Sequence, residues 1–166
     1  MWREKWSIHG QVNVMRPAMG RPWYWGPGNG ALQSNTVESA FMFIDGSAGT
    51  SMTHWDGRPE SVAWTQYDLT ALVYHLRRNS RVGIIGVGGG RDVLTAIWSG
   101  AKSVTGVEIN RAFVDLLTTD ARDFSRIAED PRVHIVHDEA RSYLTRTSEK
   151  FDVLQMSLID TWAATG

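Results

Sequence analysis

A glycine-rich turn and a later acidic residue are the features of this sequence best suited to chemistry. The turn runs from Gly86 to Gly90 (GVGGG), and Glu108 lies 22 residues after Gly86. Glycine tolerates positive φ and lets the backbone approach a ligand with no Cβ in the way. A carboxylate at about this spacing can accept hydrogen bonds from both hydroxyls of a ribose. The combination indicates a nucleoside-cofactor site; the alternative is that the glycines only make a tight turn.

Apolar segments around this turn predict the elements that position it. Four short runs predict strands at 82–85, 104–107, 133–136 and 151–156. Residues with helical spacing follow each of the first three strands. Strands that alternate with helices predict a parallel sheet, for which we expect the order 3-2-1-4, and the turn then lies at the carboxyl end of the first strand. We therefore expect an α/β fold with a Rossmann-like parallel sheet and helices on both faces.

Two more pairs of polar residues follow the third and fourth predicted strands. Asp138 and Glu139 could bind an adenine amino group, or one of them could cap the next helix. Ser157 and Asp160 flank the expected cleft, where a carboxylate could bind an amine or accept its proton. The alternative for Asp160 is a solvated loop acid. The histidines show no spacing typical of metal ligands, so we expect no metal.

Residues 1–58 predict a small β-rich module, because glycine, proline, serine, asparagine and tryptophan are frequent there. A strand candidate at 40–44, a turn at Asp45-Gly46 and a returning strand predict a hairpin near 40–54. Residues 59–166 would form the cofactor-binding domain, opening with a linking helix at 59–78. The apolar face of that helix is expected to be buried and comprises Val62, Leu69, Leu72, Val73 and Leu76.

Composition limits which binding partners and which cellular compartment we expect for this chain. The 166 residues carry a net charge of −1, so no basic surface favours nucleic acid as a partner. The absence of cysteine excludes disulfides and cysteine nucleophiles. No apolar run is long enough to span a bilayer, and residues 1–10 lack the apolar core of a signal peptide. We therefore expect a cytoplasmic domain with no membrane span in this chain.

Several of these segments together resemble the spermidine synthase (polyamine aminopropyltransferase) family. In the predicted cofactor-binding half, the resemblance rests on Ile84 to Gly90, Val107-Glu108-Ile109, Asp130 to Val133 and Phe151-Asp152-Val153. Upstream, Phe43 to Gly46 is similar to a Leu-Asp-Gly turn in the small N-terminal β module of that family. The resemblance covers roughly residues 40–166.

This resemblance implies a class I methyltransferase-like fold and decarboxylated S-adenosylmethionine as the aminopropyl donor. It implies that the donor is bound, with Glu108 at the ribose, by Gly86, Gly88, Gly90, Glu108, Ile109, Asp138 and Glu139. It implies that the amine substrate is contacted by Gln66, Tyr67 and Asp160. Asp160 and Ser157 would be the catalytic residues, although Ser157 replaces the acid that accepts the proton in the family. Gly89 likewise replaces an acid of the glycine loop.

Three functions stay open at this point. The first is transfer of an aminopropyl group to a small amine or other acceptor, and the second is methyl transfer from S-adenosylmethionine bound in the same pocket. The third is a non-catalytic cofactor-binding or regulatory domain, the soluble part of a larger membrane-anchored protein. Segments 90–96 and 160–164 resemble bacterial members that are fused to membrane-spanning segments. Few residues follow the fourth strand, so we expect a C-terminally incomplete sheet; a homodimer and a monomer are both open.

Overall fold

The N-terminal part of the chain folds into an antiparallel sheet. The structure is a computed structural model that describes residues 1–32, 36–157 and 159. Strand β4 lies at the centre and pairs with β2, β3 and β5, while β1 pairs with β2. The strand bounds are β1 (Arg3–Ser7), β2 (Gly10–Val14), β3 (Ala18–Gly20), β4 (Val37–Ile44) and β5 (Ala48–Thr53).

The hairpin predicted near 40–54 is confirmed by the pairing of β4 with β5. Ile44 lies opposite Ala48, so three residues make the turn. Asp45 and Gly46 both adopt positive φ, at 48° and 72°. Asp45 also accepts a hydrogen bond from the Gln11 backbone N–H at 2.8 Å, which ties the turn to β2.

The prediction of one continuous linking helix over 59–78 is wrong. The segment consists of two 3₁₀ helices (Pro59–Tyr67 and Leu69–Ala71) and one short α-helix, α1 (Leu72–Leu76). The break occurs at Asp68, whose backbone is extended and whose side chain accepts from the Thr70 N–H instead of continuing a helix.

The prediction of a buried apolar face on this segment is also mostly wrong. Only Val62 is fully buried, whereas Leu69, Leu72 and Leu76 are 68%, 58% and 78% exposed. The break at Asp68 changes the phase of the helical pattern, so the later leucines turn away from the core. They line an open groove of about 430 Å³ beside the last strand described below.

The second sheet is parallel and has four strands, β6 (Arg81–Ile85), β7 (Ser103–Glu108), β8 (Val133–His137) and β9 (Val153–Gln155). Their spatial order is β8-β7-β6-β9, which confirms the order 3-2-1-4 expected from the sequence. The order reverses beside β6, because β7 lies on one side of it and β9 on the other. Ligands of open α/β sheets bind at the carboxyl ends of the strands next to such a reversal.

Helices connect these parallel strands as expected. The glycine turn leads into α2 (Arg91–Trp98), and β7 leads into α3 (Arg111–Asp115). A π-helical segment (Leu116–Asp120) interrupts the next helical stretch, which resumes as α4 (Arg122–Ser125) and ends in a 3₁₀ turn (Ile127–Glu129). The last connection is α5 (Ala140–Arg146). No helix in the described part of the chain is long and apolar enough to cross a bilayer.

One continuous hydrophobic core joins the two sheets. Buried residues of the antiparallel sheet, such as Val14 and Met42, belong to the same cluster as Ile84 of β6 and Leu94 of α2. The glycine turn lies directly at this junction. A Cβ built on Gly89 would lie 2.2 Å from the Ser51 backbone oxygen of β5. The division of the chain at residues 58 and 59 stays a prediction.

We expect Gly89→Ala to lower the free energy of unfolding by about 1–3 kcal/mol, the usual cost of forcing extra volume into a packed site. The cause is the contact with the β5 backbone, which a side-chain rotation cannot relieve. Urea denaturation followed by circular dichroism measures the change. The matched control is Gly20→Ala, because a Cβ there has nothing within 4 Å. Equal stability of the two variants would contradict the contact.

Candidate functional site

The glycine turn between β6 and α2 depends on three left-handed residues. Gly86, Gly88 and Gly90 adopt φ of 75°, 52° and 88°. Residues with a Cβ are strained in this region, which explains why glycine alternates along the turn. Gly90 is also the N-cap of α2, so the turn directs the amino end of that helix to the carboxyl end of β6.

The acidic residue at the end of β7 closes this turn from the side. Glu108 is only 5% exposed. One carboxylate oxygen accepts the Gly88 N–H at 3.0 Å and the other accepts the Asn110 N–H at 2.8 Å. Asn110 in turn caps α3 by accepting the Ala112 N–H at 3.0 Å. The carboxylate of Glu108 is therefore held in one orientation beside the turn.

The other glycine amides of the turn are also hydrogen-bonded inside the protein. The Gly86 N–H donates to the Val107 carbonyl at 2.9 Å, and the Gly90 N–H to the Val87 carbonyl at 2.9 Å. The Gly89 N–H donates to the Thr50 hydroxyl of β5 at 3.2 Å. With the Gly88 N–H on Glu108, the four glycine N–H groups all have protein acceptors. These four glycine N–H groups are therefore not free to bind an anion in this structure.

Ile109, Asp138 and Glu139 lie next to Glu108, at the ends of β7 and β8. Ile109 is 48% exposed, and its carbonyl lies 3.1 Å from His137 Nε2. The Asp138 N–H donates to the Glu108 carbonyl at 3.1 Å, while its carboxylate pairs with Arg146. Contact of Asp138 with an adenine stays a prediction.

Glu139 has the role of a helix cap. Its carboxylate accepts the Arg141 and Ser142 N–H groups of α5, both at 2.9 Å. These backbone hydrogen bonds, with one from the Ser142 hydroxyl, lower the pKa of Glu139 below its usual value. The capping interpretation left open for this acidic pair therefore describes Glu139 in this structure.

Two of the three residues expected to contact an amine lie in the linking segment. Gln66 and Tyr67 lie in the first 3₁₀ helix of the linking segment, where the Gln66 amide donates to the Ala63 carbonyl at 2.7 Å. The backbone carbonyl of Tyr67 accepts a hydrogen bond from the Gly28 N–H, and the Tyr67 ring packs against Gly30. Asp160 lies outside the described residues. The amine roles of these residues stay predictions.

Ser157 does lie at the expected edge of the sheet, just after β9. Its hydroxyl oxygen accepts a hydrogen bond from Gln155 Nε2 at 2.8 Å. Ile159 follows, and its side chain lies over the glycine turn, since a Cβ on Gly86 would be 2.2 Å from it. The Ile159 side chain therefore lies across the carboxyl end of β6.

Sequence reasoning missed a buried group of charges beside this edge. Asp68 accepts from the Trp25 and Gly26 N–H groups at 2.9 and 3.2 Å and pairs with Arg91 at 3.0 Å. Asp92, next to Arg91 in the first turn of α2, is 7% exposed. The only sequence signal was an arginine-aspartate pair directly after the glycines, which is typical of a solvated helix start. The described residues contain no cluster of three or more potential metal ligands.

Comparison with known proteins was made by sequence and by structure. No protein-family model matches the sequence, and no curated protein matches it. Among solved structures, a spermidine synthase from Thermotoga maritima is similar with a TM-score of 0.50 at 17% identity, over 86% of this chain and 47% of that one. A spermidine synthase in complex with the transition-state analogue AdoDATO gives a TM-score of 0.47 at 18% identity, over 86% and 56%.

These similarities concern the fold. The chain spans about half the length of the solved structures it matches. At 17% identity, the first comparison supports a spermidine synthase-like α/β fold with a parallel four-stranded sheet and an antiparallel sheet. The expected α/β architecture, with a β-rich N-terminal part and a parallel four-stranded sheet, is confirmed at this level.

We expect Glu139→Ala to lower the thermal midpoint by about 2–4 °C, because α5 loses its cap in a chain of this size. Differential scanning calorimetry measures the shift. Glu139→Asp is the matched control, because a shorter carboxylate still caps well and should retain most of the stability. An alanine variant as stable as the wild type would contradict the capping role.

Proposed function

We propose that this domain binds decarboxylated S-adenosylmethionine and transfers its aminopropyl group to a small amine. The observation that carries the proposal is Glu108, a buried carboxylate fixed beside a glycine turn at the reversal point of a parallel sheet. The spermidine synthase-like fold supports the same reaction class.

The geometry of Glu108 suits the ribose of such a donor. Each carboxylate oxygen has two acceptor directions, and each uses one of them on a backbone N–H. One direction per oxygen is left for the two vicinal hydroxyls of a ribose. The half-exposed Ile109 side chain, adjacent in sequence, offers an apolar surface for the adenine ring.

The engaged glycine amides of the turn favour a donor without a carboxylate. S-Adenosylmethionine ends in an amino-acid carboxylate, which needs hydrogen-bond donors or a cation when it is buried. The glycine amides already donate within the protein, and Arg91 is paired with Asp68. The decarboxylated donor ends in an ammonium group instead. An ammonium group is the better match to a site where Asp68 and Asp92 outnumber Arg91.

The donor supplies a carbon bonded to a sulfonium sulfur. The nitrogen of an unprotonated amine attacks this carbon, the new C–N bond forms as the C–S bond breaks, and the bonding electron pair stays on sulfur. The product is a secondary ammonium, and the one proton released overall leaves the substrate ammonium before the attack. What the protein contributes is the orientation of the two reactants and an acceptor for the proton of the amine.

We expect calorimetric titration to give a dissociation constant for decarboxylated S-adenosylmethionine at least about tenfold lower than that for S-adenosylmethionine. Equal or tighter binding of S-adenosylmethionine would favour methyl transfer and contradict the choice of donor. Binding of neither donor would contradict the proposal as a whole.

Glu108→Gln should weaken binding of the decarboxylated donor at least about tenfold. The amide directs an NH₂ group toward one of the two backbone N–H groups and removes half of the acceptor capacity for the ribose. The matched control is Glu60→Gln, an exposed residue in the linking segment that should bind as the wild type does. Unchanged affinity in the Glu108 variant would remove Glu108 from the site.

A further inference from the structure

Strand β9 leaves one edge of the parallel sheet open. It is the last strand in the order β8-β7-β6-β9, and among residues 1–32, 36–157 and 159 it pairs only with β6. The Ser80 carbonyl and the Gly86 N–H both bond on the β7 side, so by alternation Gly83 turns its backbone groups to β9. Gly83 lies opposite Leu154 and bonds the two neighbours of Leu154. The Leu154 N–H and C=O groups therefore point to the open edge.

The side chains along this edge are large, apolar and exposed. Leu154 of β9 and Met156 just after it are 53% and 65% exposed. Across the groove, three leucines of the linking segment are more exposed than buried, namely Leu69, Leu72 and Leu76. The described side chains that line the groove include no charged group. A contiguous apolar patch of several hundred Å² on a folded protein marks an interaction site.

Two other edge strands carry the polar side chains that usually prevent pairing with another chain. Strand β1, at the edge of the antiparallel sheet, exposes Arg3 and Glu4. Strand β8, at the opposite edge of the parallel sheet, exposes His134 and His137. Charged and polar residues on an edge disfavour the addition of a further strand. The exposed residue of β9 is a leucine instead, so this edge is open to pairing.

We propose that this edge is the interface of a homodimer, in which the β9 strands of two copies pair antiparallel about a two-fold axis beside Leu154. The Leu154 N–H of each copy donates to the Leu154 carbonyl of the second copy, and the two parallel sheets become one continuous sheet. A two-fold interface requires a patch that complements itself. An uncharged apolar patch beside a free strand edge meets this requirement, because no like charges are brought together.

The area of the patch also suits a second copy. Two copies of it amount to roughly 1,200 Å² of apolar side-chain surface, the lower end of the range for stable protein–protein interfaces. An interface of this size predicts a dissociation constant in the micromolar range. The inference is independent of the proposed function, because it involves neither Glu108 nor the glycine turn.

Sedimentation equilibrium over a hundredfold range of protein concentration tests the dimer. The mass of the wild type should rise from that of one chain toward that of two. Leu154→Lys should weaken the association at least about tenfold, because it places a charge on the edge. The matched control is Met19→Lys, since Met19 is similarly exposed (67%) but lies on β3 of the other sheet. This control should associate as the wild type does.

A second pair of variants separates strand pairing from a loose apolar contact. Leu154→Pro and Leu154→Ala both remove the leucine side chain, but only proline removes the N–H group at the edge. Proline is tolerated where the N–H of an edge strand faces solvent, so both variants should fold, which circular dichroism checks. We expect the proline variant to associate at least about tenfold more weakly than the alanine variant. Should the proline variant unfold, Leu76→Lys on α1 takes its place and should weaken the dimer as Leu154→Lys does.

Several results would overturn the inference. A wild type that stays monomeric at every concentration does so and leaves this edge to a different polypeptide. A dimer that Leu154→Lys leaves intact, or that Met19→Lys weakens equally, places the interface elsewhere. Equal association of folded proline and alanine variants contradicts pairing through β9. Donor titration decides the proposed function separately, since sedimentation is measured without any donor.

Discussion

The hydrogen bond between the Glu108 carboxylate and the Gly88 N–H is the interaction around which the site is organised. It joins the end of β7 to the turn after β6, and the second oxygen of Glu108 holds the start of α3 through Asn110. A carboxylate that accepts hydrogen bonds from two backbone amides is held in one orientation. Because the turn is held in this way, β5 can pack against Gly89 and close the junction between the two sheets.

The same junction concentrates buried charge where the two sheets meet. Asp68 interrupts the linking segment so that its carboxylate can reach Trp25, Gly26 and Arg91. Arg91 lies 3.0 Å from the Asp68 carboxylate and 4.0 Å from that of Asp92, and Asp92 Oδ1 has no hydrogen-bond partner among the described residues. Burying a charge without full compensation weakens a fold, so such an arrangement is expected where binding requires it. Two buried carboxylates share one guanidinium there, which favours a bound cation over a bound anion.

Much of this fold is predictable from the sequence, because it depends on short-range patterns. The apolar runs gave all four parallel strands and their order, and the Asp45-Gly46 turn gave the hairpin of the first sheet. The glycines of the turn were predictable because positive φ excludes most other residues. Glu108 was predictable by its spacing, and the structure places it against the turn.

Features that depend on long-range contacts were not predictable. Asp68 breaks the linking helix through a side chain that also binds residues 25 and 26, more than forty positions away, which no local periodicity reports. Gly89 shows no unusual φ, and its need for glycine comes from the backbone of β5. Asp92 reads as an ordinary acid at a helix start, and only the folded chain brings Ser157 to it. Asp160 lies outside the described residues, so its role stays a prediction.

The central claim is that the turn and Glu108 form an adenosyl-donor site, and amide chemical-shift mapping tests it most directly. Decarboxylated S-adenosylmethionine added to ¹⁵N-labelled protein should shift the amides of Gly88, Ile109 and Asn110 together, in one saturable process. Amides at the amino ends of the parallel strands, such as Arg81, should stay unchanged. Saturable shifts that bypass Gly88 and Asn110 would contradict the account, as would the absence of any shift at saturating donor.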